Sequence, residues 1–313
     1  MTISINVTVT TGGRGTSTIM SEMENTEQVV EGIHLPPHPF RVPWQKHITD
    51  IRSMTVREDD VFLVAYPKAG THWLWEVLYM LLAGKAEYEP RAKEHLMMEF
   101  TTLDKIDAEP SPRVFNTHLP FSMLPVKQME EKRVKVVHMY RNPKDTVVSA
   151  WFHYKQLPPR QGVPLYSELT LSQFVQHSVR NTFTYGTWTD HLRQVQTFTR
   201  EHPDMPVFSL SFEENKRNPV DCVRRLAWYL EVDVTDKLCQ DIAHACSFHN
   251  MQTVGDKKTL PRDTAITLDA KMYRKGEVGD WKNHLTVADS ELIDLAVAQG
   301  LQQCHMLNIQ YTP

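Results

Sequence analysis

Three times in this chain an apolar run of strand length is followed at once by an amphipathic run of helix length. That repeat narrows the fold more than any other feature. The first pair is Val61 to Tyr66, then His72 to Ala83, with Gly84 as a stop. The second is Val134 to Tyr140, then a helix opened by Asn142 as cap and Pro143 at its first position. The third is Val207 to Phe212, then a helix opened by Asn218 and Pro219, in which Val223, Leu226, Ala227 and Leu230 form one apolar stripe. Such alternation predicts the α/β class, with a central parallel sheet flanked by helices. The 313 residues, 41% of them hydrophobic, can bury one large core. No repeat, low-complexity linker or charge block divides His34 from Pro313, so a single domain is expected over 34–313. Residues 1–33 are rich in Thr, Ser, Gly and Glu without an apolar period, and are expected to form a mobile extension.

The totals exclude several functions. A formal charge of −4 and a pI near 6.4 argue against nucleic acid as a partner, so any anion site must be local. Cys222, Cys239, Cys246 and Cys304 form no C-x-x-C pair and have no His partner at zinc-ligand spacing, which reads as a reduced, intracellular chain without a metal. Cys239 and Cys246 are placed to share a helix face as small buried side chains. There is no basic segment leading into an apolar one at the start, and the apolar helix around Val77 to Ala83 is too short to span a bilayer. Glu22, Glu24 and Glu27 argue against a transit peptide, which leaves a cytoplasmic location and no membrane partner.

The chemistry sits where strands meet helices. Tyr66-Pro67-Lys68-Ala69-Gly70-Thr71-His72-Trp73 joins the first strand to its helix with one Gly, one Lys and a Thr cap. A helix N-terminus presents unpaired N–H groups and positive dipole, both suited to phosphate, and Lys68 adds a full charge. The architecture is P-loop-like, but a triphosphate loop reads G-x-x-x-x-G-K-[ST], with Lys after the glycines. Here Lys68 precedes Gly70, and Arg141 follows the second strand where a magnesium-binding Asp would stand, so a metal-free nucleotide site is implied. The second segment, Tyr140-Arg141-Asn142-Pro143-Lys144-Asp145, continues to Ser149 on the second helical turn. Ligands of open α/β sheets bind beyond the carboxyl ends of strands, so Arg141 and the Lys68 turn belong to one edge. The third, Tyr273-Arg274-Lys275-Gly276-Glu277-Val278-Gly279-Asp280-Trp281-Lys282, reads as a loop that could close over phosphate; alone it would be an ordinary solvated turn.

Taken together these segments resemble the donor site of the cytosolic sulfotransferases, Y-P-K-[SA]-G-T-x-W, R-N-P-K-D and R-K-G-x-x-G-D-W-K-N, in family order from about Val42 onward. The resemblance implies transfer of the sulfonate group of 3′-phosphoadenosine 5′-phosphosulfate (PAPS) to a hydroxyl or amine of a small, aromatic or steroid-like acceptor. It implies that Lys68, Gly70, Thr71, His72 and Trp73 hold the 5′-phosphosulfate, with Trp73 also on adenine. Arg141, Ser149, Arg274, Lys275 and Gly276 would hold the 3′-phosphate, and Phe212, Ser247, Phe248 and Met251 the adenine. The family's catalytic base lies in K-T-H-L-P, here Asn116-Thr117-His118-Leu119-Pro120. His118 would therefore take the acceptor's proton, a role its near-neutral ordinary pKa suits. Lys68 would stabilise the departing phosphate.

The departures are Asn116 for the usual Lys, which keeps a hydrogen bond but not the charge, His72 for a common Thr, and Phe212 for a common Tyr. Because of Asn116, a PAPS-binding protein of the same fold with little turnover is the alternative; an ATP-dependent kinase is disfavoured by the missing G-K-[ST]. Lys282, Thr286, Val287 and Glu291 match the family's K-x-x-x-T-V-x-x-x-E segment and imply a homodimer, although Thr286 alone could simply cap a helix. Dispersed aromatics such as Phe100, Phe121, Trp151 and Phe152 are candidates for an acceptor pocket and equally for core.

Overall fold

The computed structural model describes residues 28–36, 38, 42–156, 166–205, 207–255 and 273–302. Four strands, β3 (Val61–Ala65), β4 (Val114–Thr117), β5 (Lys135–Tyr140) and β6 (Val207–Ser211), form a wholly parallel sheet in the order β4-β3-β5-β6. Parallel strands covered on both faces read as continuous apolar runs, and every residue of β3 is buried. The period-2 pleat sorts them. Val61, Leu63 and Ala65 enter a core with helix α2 (Thr71–Ala83), whereas Phe62 and Val64 enter a second core with helix α1 (Trp44–Ser53).

The chain leaves β3 toward β4 through α2, yet leaves β5 toward β6 on the other side, by way of α5 (Pro143–Tyr154), α6 (Leu171–Val179) and α7 (Trp188–Glu201). The short helices α3 (Leu103–Ala108) and α4 (Val126–Lys132) flank β4 in the chain. The crevice beyond the carboxyl ends of β3 and β5 is thus the topological switch point, the usual ligand position in such sheets.

Several boundaries differ from expectation. An antiparallel hairpin of β1 (Gln28–Val30) and β2 (Ile33–Leu35) moves the start of the described fold ahead of His34, and Val30 is buried in the second core. Its turn is built from Glu31 and Gly32, both at positive φ, a pair that carries only one of the usual turn residues and so gives a weak signal in the sequence. Residues 1–27 lie outside the described residues. The third strand ends at Ser211, whose side chain accepts a hydrogen bond from Glu214 N and opens an unforeseen helix, α8 (Phe212–Arg217). Asn218 precedes α9 (Pro219–Leu230) but makes no side-chain cap. Asn142 does cap α5, accepting from Lys144 N and Asp145 N. Then come α10 (Asp236–Ala245), α11 (Phe248–Gly255) and α12 (Val287–Gly300). Cys222, Cys239 and Cys246 are buried free thiols; Cys304 lies outside the described residues. Among the described residues no helix is long and apolar enough to cross a membrane, and no group of three or more His, Cys, Asp or Glu side chains is placed to hold a metal ion.

Candidate active site

The turn after β3 is built around Gly70. Its φ of 116° lies in the left-handed region, and a Cβ there would come within 2.9 Å of Phe212 Cδ2 and 3.1 Å of Met139 Cε. Gly70, not Thr71, occupies the cap position of α2. Thr71 is the buried first residue of the helix, and no side chain caps this N-terminus. The first-turn N–H groups are left without side-chain acceptors, which suits an anion. Lys68, also at positive φ, precedes them in the same turn. Burial of its ammonium lowers its pKa to about 7, helped by repulsion from Lys93 and Arg141.

Arg141 follows β5 and joins the three segments. Its Nη1 donates to Lys68 O at 3.4 Å, its Nη2 to Glu277 O at 3.1 Å, and its guanidinium lies 4.2 Å over the Phe212 ring. The last contact follows from register, because Tyr140 pairs with Ser211 and the next residue of each strand leaves the sheet together. Among the described residues Arg141 Nε is buried without a hydrogen-bond partner, a polar atom that a phosphate oxygen would satisfy. Ser149 is half-buried on the second turn of α5.

The loop from Tyr273 is held by a residue whose importance the sequence did not display. Asp145, in the first turn of α5 and buried, accepts from Gly279 N at 2.7 Å and from Trp281 N at 3.0 Å. Within the loop, buried Asp280 accepts from Lys275 Nζ at 2.8 Å and pairs with Arg274 Nη1 at 2.6 Å. Burial opposes the Asp280 charge, but hydrogen bonds from Lys275, Asn283 and Arg274 prevail and hold its carboxyl below the ordinary range. Arg274 also lies 4.5 Å over the Phe152 ring, and its Nε is a second buried, unpartnered donor. Gly276, at φ 64°, sits against Phe248, where a Cβ would come within 2.2 Å of the ring. Asp145→Ala removes two charge-assisted bonds, each worth on the order of 2 kcal/mol. It is expected to weaken nucleotide affinity by about tenfold or more, measured by titration calorimetry, with the melting temperature as the check on folding. Unchanged affinity would show that the loop does not depend on this anchor.

His118 comes immediately after β4. The Val64–Thr117 register sets it beside Ala65, and its Nδ1 lies 2.7 Å from Ala65 O. A carbonyl can only accept, so Nδ1 carries the proton and Nε2 is left with its lone pair. Burial lowers the His118 pKa to about 3, with Lys93 the next cause, so the imidazole is neutral across the physiological range. Its own N–H donates to Glu99, a buried carboxyl raised to about 7 by burial, and the Tyr185 ring stands 5.4 Å from its ring. Asn116 is fully buried. Its amide donates to Lys93 O at 2.7 Å and its Oδ1 accepts from Lys93 Nζ at 3.2 Å. His72 lies 3.5 Å from Glu94 and is lowered to about 4 by burial and by Lys93.

Not every expected residue faces the crevice. Trp73 is only 9% exposed and belongs to the first core, as does buried Met251; Phe121 stacks on Phe198 in the second core at 3.8 Å between centroids. Ser247 and Phe248 open α11, where Met251 N donates to Ser247 O. Lys93, Glu94 and Glu99 escaped the sequence reading, and Asp145 was read only as part of its motif, without a role. Lys93 and Glu94 lie in a one-turn 3-10 helix, Lys93–Leu96, too short for any period.

The comparisons agree with this geometry. The family described as Sulfotransferase domain matches residues 58–305. Sulfotransferase 1A1 of Mus musculus is 31% identical over 294 residues, spanning 88% of this chain and 97% of the relative. Amine sulfotransferase of Oryctolagus cuniculus is 28% identical over 259 residues, 80% of this chain and 83% of the relative. Among solved structures, mouse sulfotransferase SULT7A1 complexed with PAP superposes with a TM-score of 0.73 at 28% identity, covering 89% of this chain and 95% of that one. Matched over residues 58–305 and 31% identical to a sulfotransferase along almost the whole length of that relative, this chain belongs to the sulfotransferase family.

Proposed function

We propose that the protein transfers sulfonate from PAPS to a hydroxyl or amine of a small, aromatic or steroid-like acceptor, with His118 as general base. The observation that carries the reading is the convergence of three segments, distant in sequence, on Arg141 beside the uncapped start of α2. The two orphaned guanidinium nitrogens, on Arg141 and Arg274, fit a 3′-phosphate, with Ser149, Lys275 and Gly276 in supporting positions. Phe212, Phe248 and the segment from Ser247 are suited to adenine. Bound there, PAPS supplies an electrophilic sulfur and a 5′-phosphate leaving group. Lys68 and the first-turn N–H groups of α2 neutralise charge on that phosphate, and His118 Nε2 accepts the acceptor's proton. Transfer of this kind, by analogy with phosphoryl transfer, depends mostly on positioning and charge stabilisation.

The test is transfer from labelled PAPS to a panel of phenols, steroid alcohols and aromatic amines. Transfer establishes the reading and names the acceptor class. Tight binding of 3′-phosphoadenosine 5′-phosphate (PAP) without transfer to any member would instead favour the binding-protein alternative.

The homodimer belongs to the same proposal. Thr286 caps α12 in a reciprocal box with Asp289, while Lys282, Val287 and Glu291 are exposed, Val287 by 75%. An apolar side chain so placed at a helix start is a plausible self-contact, and Val287→Glu is expected to shift the protein from dimer to monomer in sedimentation velocity. A wild type that sediments as a monomer would rule this interface out.

A further inference from the structure

Lys93 stands where the motif at Asn116 lacks its charge. The longer cationic side chain that the motif usually carries at this position would put its head just beyond the end of the Asn116 amide. In this structure that place is taken by an ammonium from another segment: Lys93 Nζ lies 3.2 Å from Asn116 Oδ1, and the Asn116 amide returns a bond to Lys93 O at 2.7 Å. Both side chains are buried, Lys93 with 4% exposure and Asn116 with none. Building on the sulfotransferase reading, we propose that Lys93 supplies the cation that binds the sulfonate in transit, and that Asn116 serves to position it.

Three further observations support this. An ammonium has three N–H donors, and those of Lys93 meet Asn116 Oδ1, Glu94 Oε1 at 3.1 Å and, among the described residues, only the Met97 thioether at 3.8 Å. Sulfur is a weak acceptor, so one donor is held in reserve for an anionic oxygen. Glu94 explains how a lysine can be buried here at all, since a paired ammonium avoids most of the desolvation penalty. The charge of Lys93 also reaches the rest of the site, acting on Lys68, His72 and His118 alike.

PAPS and PAP differ by the sulfonate, which gives a direct test by titration calorimetry. Lys93→Met is expected to weaken PAPS binding by about tenfold to a hundredfold, the loss of one charge-assisted hydrogen bond, while PAP affinity changes by less than about threefold. Adding Asn116→Lys to Lys93→Met returns the charge to the motif position and is expected to restore PAPS affinity to within about threefold of wild type. Equal weakening of PAPS and PAP by Lys93→Met, no weakening of either, or a double variant that holds PAP without regaining PAPS would each overturn the assignment. A wild type that binds neither nucleotide would overturn the PAPS reading itself, and the role of Lys93 with it.

Discussion

His118→Ala is expected to lower kcat by on the order of a hundredfold to ten-thousandfold while leaving PAP affinity within about threefold. The fixed tautomer supports the large effect: Nδ1 is committed to Ala65 O, so the one basic nitrogen of this ring is Nε2. With a pKa near 3 in the unliganded protein, this imidazole would be a poor base. Burial is the chief cause, but the positive charges of Lys93 and Lys68 contribute. An anionic donor beside those cations would offset their part of the shift, though not the larger part due to burial, so under the proposed function His118 is expected to be more basic with the donor bound than without it. Steady-state rates of His118→Ala with the acceptor identified by the panel check this, and a kcat within threefold of wild type would assign the base elsewhere.

Lys68→Met is expected to cost about a hundredfold to a thousandfold in kcat/KM, the typical loss for a donor aimed at developing charge. It should also remove a pH dependence. In the free protein the Lys68 pKa is lowered to about 7, first by burial and then by Lys93 and Arg141, and a bound phosphate raises it again. Below pH 7 Lys68 is already protonated, so donor affinity is at its full value there. Above pH 7 a proton must be taken up on binding, and affinity falls by up to about tenfold per pH unit until the bound-state pKa is reached. Calorimetry of PAP binding from pH 6 to pH 9 should show this slope in the wild type and lose it in Lys68→Met. An equal slope in both would place the titration on another group.

How far the sequence could be read depended on whether residues announce themselves locally. Parallel strands and helices were legible because β3 is a continuous apolar run, β5 a largely apolar one, and Asn142-Pro143 a strong helix start. Lys68 and Arg141 were legible because each lies within a few residues of a strand end, where chain direction alone dictates the edge they occupy, whereas His118 was singled out only by the resemblance of its motif. The opposite held for Lys93 and Asp145. Lys93 meets Asn116 across 23 positions and Asp145 meets Gly279 across 134, and nothing near either residue signals a partner. Ser211 was missed for a different reason: a strand that ends directly in a short capped helix leaves no loop residues to mark the change. Trp73, a motif position expected on adenine, is mostly enclosed by the first core.

The Asp145 anchor has a consequence for biosynthesis. The sheet, the Lys68 turn and Arg141 all lie N-terminal to residue 212, but the loop that completes the cradle is made well over a hundred residues after its own anchor. On the ribosome the floor of the site emerges and can fold first, with the Asp145 carboxylate waiting for two backbone N–H groups that do not yet exist. Under the proposed function, a translation product ending before Gly279 lacks both backbone donors to Asp145 and is expected to hold nucleotide more weakly than the longer chain.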